Sequence, residues 1–571
     1  MEENILHTKT EEPGEPVIKL NNFNEENFKT KVLLIAPKYL NTEDFNYNYT
    51  FPLGLAYVSS VLKNAGYDVT CFNMNHHKGK FEDILYNELN KEKYDFACTG
   101  HTGIGYSIVK KIIEIIRSHP SNPKVVLGGP IVTTEPTLIF NEFKPDFGII
   151  GEAELTFLDL IDAVVKKRDL KKVNGIILRD DKGEIIITPA RKPMPNINDV
   201  PIPDFDGFEF NRYLENTSPN DSYLNNPMDY PKIYPMLTSR ACIFKCTFCY
   251  HADLYRERDL DAVMDEIALA IKKYNINMLM LYDDLFSYKK ERIYEFCSRI
   301  KELGKTFGRE LKWSCQLAVM TVDEPLLRAM KDSGCFVISY GFESVNANVL
   351  KSMIKPISKE QIDYALKTTL KCGISIQGNF IFGDVAETKE SAWETLEYWK
   401  KEARGQIGLW LIQPYPGSQI YNICLKKGLI KDKLKFIRDD INTEEIVYNF
   451  TDKMTDEELM DLYEEIVKLR NSDKYCKSRI PYYVKHMHDD RYEVRVNCPY
   501  CKNNITYKNF YLPNKTSYNY FICCRNCAMR FRLVGPFIKI LRSMSFIVPL
   551  LKKFKKKGRP IIISSKTASN S

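Results

Sequence analysis

From Lys31 onward, short apolar runs alternate with amphipathic stretches. Residues 32–36 (VLLIA) are apolar without alternation, the pattern of a strand buried on both faces. Residues 53–65 predict a helix that stops at Gly66. Strands are predicted at 68–72, 96–99, 125–127 and 147–150, with a helix at 104–118. Strands alternating with helices imply βαβ units, hence an α/β fold with a doubly wound, Rossmann-like parallel sheet. Such sheets bind ligands outside the carboxyl ends of their strands. The segments there are Thr99-Gly100-His101-Thr102-Gly103, Gly128-Gly129-Pro130 and Gly151-Glu152-Ala153-Glu154.

A hairpin is predicted at 175–179 and 184–188, around Asp181-Lys182-Gly183. Residues 191–235 are rich in Pro and Asn and read as a linker. A second alternating pattern begins near 236. It predicts strands at 236–238, 278–281, 311–314, 336–340, 374–381 and 409–412, with amphipathic helices between. About six β/α units suggest a full or partial barrel, with chemistry at the strand C-termini. Residues 454–475 predict a helix capped by Thr455 and Glu458. The expected division is an acidic, disordered 1–29, a ligand-binding α/β domain at 30–170, hairpin and linker at 171–235, a barrel at 236–450, a helical extension at 451–489, a cysteine-rich module at 490–534 and a basic amphipathic tail at 535–571.

Composition narrows the function class. The chain has 571 residues, 44% hydrophobic and 27% charged, enough apolar material for large cores. Its net charge is +7, but residues 539–559 alone carry eight bases and no acid, so the body is near neutral. A body that binds nucleic acid is therefore not expected. No apolar run approaches the roughly 18 residues a membrane span needs, and the acidic N-terminus does not read as a secretory signal. Of the sixteen cysteines, seven fall into two tight groups, which reads as metal ligation in a reducing cytoplasm.

The first group is Cys242-Ile243-Phe244-Lys245-Cys246-Thr247-Phe248-Cys249-Tyr250, a Cys-x3-Cys-x2-Cys motif just after a predicted strand. Three thiolates can hold three corners of a [4Fe–4S] cube and leave one iron open. His251 is the candidate fourth ligand of a zinc alternative. The motif resembles the radical S-adenosylmethionine (SAM) superfamily. Tyr282-Asp283-Asp284, Gly341-Phe342-Glu343-Ser344 with Leu350 through Lys355, Gly383-Asp384-Val385-Ala386-Glu387-Thr388 and Pro414-Tyr415-Pro416-Gly417 resemble further segments of that family. The resemblance implies a barrel in which the open iron chelates SAM, and one electron cleaves SAM to a 5′-deoxyadenosyl radical. It implies cluster ligands Cys242, Cys246 and Cys249, and SAM contacts from Tyr250, Asp283, Asp284, Glu343, Gly383 and Glu387. The two acids at 283 and 343 also read as ordinary strand-end caps. No arginine stands near Trp313 through Ala318, where relatives often carry one.

The N-terminal sheet, with Pro52-Leu53-Gly54-Leu55 and its glycine turns, resembles the cobalamin-binding domain of class B radical SAM proteins. That implies cobalamin contacts from Thr99, Gly100, His101, Gly128, Gly129, Gly151 and Glu152. The first strand runs into Pro37-Lys38-Tyr39-Leu40, with no histidine, and Met74-Asn75-His76-His77-Lys78-Gly79 follows the second strand. The lower cobalt face is expected to lack a His ligand, and His101 reads first as a hydrogen-bonding loop residue.

The second group is Cys498-x2-Cys501 and Cys524-x2-Cys527. Two such knuckles close a tetrahedral zinc site of a zinc-ribbon-like module. An auxiliary iron–sulfur centre is the alternative, since Cys523 offers a further thiol. In the tail, Phe537, Ile540, Leu541, Met544, Ile547, Val548 and Leu551 follow helical spacing among bases. An interfacial helix on an anionic membrane and a helix packed on the body both fit.

The expected function is that of a cobalamin-dependent radical SAM enzyme, a methyltransferase acting on an inert carbon of a small, natural-product-like molecule. Flavodoxin or ferredoxin would supply electrons. A cobalamin-dependent cyclase or rearrangement enzyme is the alternative within enzymes. A cobalamin- or redox-sensing docking protein is the alternative outside them. RNA methylthiolation is disfavoured, because the N-terminal domain lacks a second three-cysteine group.

Overall fold

A computed structural model describes residues 24–39, 43–45, 49–216, 226–251, 254–441, 446–512, 514–543 and 560–564. The acidic leader up to residue 23 and the tail positions from Met544 to Leu551 lie outside the described residues.

The first sheet contains β1 (Lys31–Ala36), β2 (Asp68–Asn73), β3 (Phe96–Gly100), β4 (Lys124–Gly128), β5 (Phe147–Ile149), β6 (Ile176–Arg179) and β7 (Ile185–Ile187). Its order is β2-β1-β3-β4-β5-β6-β7. The first five are parallel, and β6 and β7 add as an antiparallel hairpin on β5. The predicted hairpin thus extends the sheet. The alternation of β1 through β5 with helices is the expected α/β architecture. Chain order reverses between β1 and β3, so a crevice opens at their carboxyl ends.

The second sheet holds β8 (Ile233–Met236), β11 (Met278–Leu281), β12 (Lys312–Leu317), β13 (Cys335–Glu343), β14 (Ser375–Phe382) and β15 (Gly408–Leu411), while β9 (Ser239–Arg240) and β10 (Arg256–Glu257) form a small antiparallel ladder beside it. Its six strands are all parallel, with β8 and β15 as edges. This is a partial barrel. Its helices start on recognisable signals: Ser358 with Gln361, and Thr455 with Glu458, form capping boxes.

The described start of the segment read as a linker is packed. Phe205 stacks on Phe51 at 5.1 Å and tilts against Tyr234 of β8 at 4.5 Å, and Phe210 meets Tyr274 edge-on at 4.9 Å. Proline and asparagine content signalled irregular backbone correctly, but burial of these rings outweighs it. One continuous apolar core runs through both sheets as a result.

The cysteine-rich module has its own core. It contains β17 (Ser478–Arg479), β18 (Tyr483–His488), β19 (Arg491–Asn497), β20 (Asn504–Tyr511), β21 (Asn519–Cys523) and β22 (Arg530–Val534). A helix, Pro536–Ser543, follows. The chain then returns to the body, where β23 (Ile561–Ser564) pairs in parallel with β16 (Ile446–Asn449). No helix among the described residues is long and apolar enough to cross a membrane.

Candidate functional site

The crevice at the β1/β3 reversal is a cavity of about 690 Å³. The ends of β1, β3, β4 and β5 wall it, and Thr99, Gly100, His101, Gly128, Gly129, Gly151 and Glu152 all line it. Gly129 has φ +85, and a Cβ there would stand 2.9 Å from the His101 carbonyl oxygen, so the turn is closed to other residues. Cβ atoms at Gly54 and Gly151 would meet no protein atom within 4 Å. The walls are thus shaved back to backbone where a bulky ligand would press, and the volume suits a large cofactor.

His101 Nδ1 accepts the Thr102 backbone N–H at 2.9 Å. Its neutral ring therefore carries the proton on Nε2, and can donate to a ligand rather than coordinate one. Burial holds its pKa down. His76 lies outside the cavity, its Nδ1 2.9 Å from Glu209 Oε2 and its Nε2 against the Tyr49 hydroxyl. Lys38 does line the cavity. It is almost fully buried, donates from Nζ to the His77 carbonyl at 2.8 Å, and has its pKa lowered by burial.

The three-cysteine loop follows β9. Thr247 pins it on both sides, donating its N–H to the Met353 carbonyl at 3.1 Å and accepting from Ile420 N at 3.0 Å. Burial pushes all three thiols up, Cys249 to about 12. Lys355 opposes this in each case. The thiols influence one another electrically, yet they do not form a set with sulfurs within 4.8 Å, as the other four motif cysteines do. His251 Nε2 is 2.8 Å from the Cys246 carbonyl, so that nitrogen is taken up by the backbone.

The acids around the loop divide into two kinds. Asp283 is fully buried and accepts from Thr238 N at 2.6 Å, Thr238 Oγ1 at 2.6 Å and Ser239 N at 2.8 Å. It fastens β11 to the start of the cysteine loop. Glu387 accepts from Gly383 N at 2.9 Å and Ser391 Oγ at 3.1 Å, shaping its own turn. Asp284 is open to solvent but crowded, and burial raises its pKa. Cys249 and Tyr250 are exposed as well. Glu343 sits at a bulge of β13 with φ +60 and pairs with Lys355 at 3.2 Å, both largely buried. A Cβ on Gly341 would fall 2.4 Å from both charged ends, so that glycine leaves room for the pair.

Sequence reading missed the link between the two regions. Arg240, two residues before Cys242, lines the cavity. It donates to Glu154 at 2.5 Å and lies 3.3 Å from Glu152. Arg256 grips Glu152 with two bonds, 2.6 and 3.1 Å, and donates to the Met194 carbonyl at 2.8 Å. No local pattern signals these pairs, which join residues 86 and 104 positions apart. Asp384 was also passed over. It is fully buried, with Oδ2 lacking a hydrogen-bond partner.

In the C-terminal module the sulfurs of Cys498, Cys501, Cys524 and Cys527 lie within 4.8 Å of one another. Cys498–Cys527 is 3.8 Å and Cys501–Cys524 3.6 Å. Tetrahedral zinc at about 2.3 Å from each sulfur places the sulfurs about 3.8 Å apart. The Cys523 thiol instead points to the Ala528 carbonyl at 3.3 Å. The donor set fits one closed ion.

Comparison with known proteins identifies two domains: the B12 binding domain over residues 47–161 and the radical SAM superfamily over residues 236–398. An uncharacterized methyltransferase of Pyrococcus horikoshii is 29% identical over 388 residues, 66% of this chain and 79% of that protein. An anaerobic magnesium-protoporphyrin IX monomethyl ester cyclase of Rubrivivax gelatinosus is 26% identical over 404 residues, 68% of this chain and 69% of that protein. The fold also matches a radical SAM methyltransferase from Kitasatospora setae solved with cobalamin and a [4Fe–4S] cluster bound. The TM-score is 0.56 at 16% identity, over 70% of this chain and 75% of that one.

Proposed function

From the premise that the chain is a B12-binding radical SAM enzyme, whose cofactors are cobalamin, SAM and a [4Fe–4S] cluster, we propose that it methylates an unactivated carbon of a small molecule. The observation that carries this reading is the shared wall: Arg240 lines the cavity and leads directly into the cysteine loop. Chemistry begun at one site can therefore reach a group carried at the other.

When bound, the cluster supplies the electron that cleaves SAM, and cobalamin carries the methyl group. The chain's residues have the following roles in this proposal. Cys242, Cys246 and Cys249 hold the cluster, and the Lys355 ammonium favours their thiolate forms. Asp284 and Glu343 offer carboxylates to the cationic or hydroxyl-bearing parts of SAM, and Tyr250 closes over it. Gly383 leaves its face open, while Glu387 holds that turn. Asp384 Oδ2 offers a buried acceptor. Thr99, Gly100, Gly128, Gly129, Gly151 and Glu152 shape the cobalamin cavity, and His101 donates to the ligand from Nε2. Asp283 acts through the loop rather than on SAM. Cys498, Cys501, Cys524 and Cys527 hold a structural zinc that keeps the module folded against the barrel. The enzyme works in the cytoplasm with a reductant such as flavodoxin or ferredoxin.

The test is anaerobic reconstitution with iron, sulfide and cobalamin, followed by mass analysis of SAM products under reduction. S-adenosylhomocysteine and 5′-deoxyadenosine forming together support methyl transfer. Deoxyadenosine alone, in the presence of bound cobalamin, points to ring-forming or rearrangement chemistry instead. Failure to bind corrin overturns the reading of the cavity.

A further inference from the structure

Four arginines converge on one buried thiol where the cysteine-rich module meets the barrel. Arg530 and Arg532 stand two residues apart on β22, so their side chains share a face. Both guanidiniums lie over the Phe521 ring, 4.8 and 3.9 Å from its centre. Arg542, from the helix Pro536–Ser543, donates to the Cys476 carbonyl at 2.7 Å. Cys476 stands two residues before Ser478, whose backbone pairs with Arg532. Arg470, near the end of the helix Asp456–Asn471, lies 3.7 Å over the Trp410 ring. The charges of all four act on the Cys476 thiol, which is itself buried.

What this cluster lacks is negative charge. Arg530 and Arg542 are only 9% and 4% exposed. The hydrogen-bond acceptors of the inner three side chains are neutral: the Ile376 carbonyl at 3.0 Å for Arg530, Asn519 Oδ1 at 3.1 Å for Arg532, and the Cys476 carbonyl for Arg542. Among the described residues no carboxylate forms an ion pair with any of the three; Asp473, which acts on Arg542 from farther off, gives its oxygens to Lys539 at 2.7 Å and to Ser478 N at 2.8 Å. Ten buried polar side-chain atoms of the described residues have no hydrogen-bond partner, and the Nε atoms of Arg530, Arg532 and Arg542 are three of them. A water molecule would satisfy such an N–H but not the charge behind it, and buried cations call for an anion. Burial and mutual repulsion bring the Arg532 pKa down to about 10, so the group still carries its charge at neutral pH.

We propose that this cluster binds a phosphate-type oxyanion. Guanidinium N–H groups match the spacing of oxyanion oxygens, and three unspent Nε–H donors are in place. Phosphate also carries more charge than a halide, and so offsets more of the four cations. Arg532 is half-buried, which leaves a path from solvent. The site is separate from the cofactor regions. Arg530 reaches Ile376 near the start of β14, at the opposite end of that strand from Gly383 and Glu387. Its backbone exchanges two bonds, 2.6 and 3.0 Å, with Gln406 just before β15. A bound anion would therefore tie β22 and the helix after it to the helix Asp456–Asn471 and to the barrel, and so fasten the module in place.

The test titrates inorganic phosphate into the full-length holoenzyme in phosphate-free buffer at constant ionic strength. Thermal unfolding and calorimetry are the readouts. A ligand of the folded state raises the midpoint with the logarithm of its concentration, and saturable heat separates a site from general salt exclusion. Arg532→Met should weaken phosphate at least about tenfold, and Arg532→Lys less, with SAM cleavage and zinc content unchanged. Arg470→Met, on a different segment, should weaken it as well, so the result does not rest on one residue of the module. Absence of a saturable response overturns the proposal. So does equal phosphate affinity in both Met variants. So does an equal response to chloride, because a halide would then be the occupant. So does alkylation of Cys476 at about pH 6, because a thiolate would then be the counter-charge.

Discussion

Removing the charge of Glu152 tests the link between the two cofactor regions. Burial alone would raise its pKa, but the hydrogen bonds of Arg256 and the charge of Arg240 hold it below the usual carboxylate range. The side chains of Arg256, Arg240 and Glu152 are 7%, 14% and 26% exposed. Breaking a buried pair by removing one partner costs about 3–5 kcal/mol. Three features lower the figure here: water reaches Glu152, Glu154 still holds Arg240, and Gln keeps an acceptor for Arg256. Glu152→Gln should therefore cost about 2 kcal/mol, roughly a 30-fold change in the opening equilibrium. The assay is a double-mutant cycle with Arg256→Met, read as urea unfolding of the apoprotein and as cobalamin affinity by absorbance titration. A coupling energy of at least about 1 kcal/mol is expected. Additivity within about 0.5 kcal/mol would refute the reasoning. The pH dependence has a definite sign. A carboxylate whose folded pKa is depressed adds stability above its unfolded pKa, and this is lost as pH falls through the folded value. Glu152→Gln should remove that acid-side loss.

Other consequences follow from neighbouring groups. Lys355→Met leaves Glu343 buried without its partner and removes the cation that opposes the burial of the three thiols. Iron and sulfide loading at neutral pH should fall severalfold while Lys355→Arg largely retains it, and equal loading in the Met variant would refute the role. Asp283 is pushed up to about 7 by burial, from 3.8. It stays protonated in the folded chain where the unfolded chain has ionised. Stability from this group is present below pH about 4 and is lost as pH rises to about 7, so Asp283→Asn should flatten urea midpoints across that window. A slope unchanged by the substitution would contradict it. Metal analysis should find about one zinc per chain beyond the cluster iron. Cys524→Ser should release it and expose the β19–β20 amides to hydrogen exchange, whereas full protection without metal would exclude a structural role.

The α/β architecture was legible because buried parallel strands read as unbroken apolar runs: residues 32–36 already spell β1. Two cysteine spacings separated a three-thiol loop from a four-thiol knuckle pair, because ligand spacing is local chemistry. Strand ends were less legible. Backbone pairing rather than side-chain pattern extends β13 through Glu343, and a segment rich in Pro and Asn turned out to carry a packed aromatic cluster.

Local sequence thus determined which segments are strands and helices and which thiols group together. Tertiary structure alone decided what meets across distance. Arg240 grips Glu154 across 86 residues of chain, and nothing near either residue announces the pair. Asp283 and Asp284 are neighbours in sequence, yet one is tied to Thr238 and Ser239 while the other is exposed. The helix at 536–543 makes the same point. Its spacing fixed an apolar and a basic face, but the Asp473 carboxylate and the Cys476 carbonyl, waiting on the body, drew the basic face inward. Periodicity sets the faces of an element, and the partners available in the fold decide which face is buried.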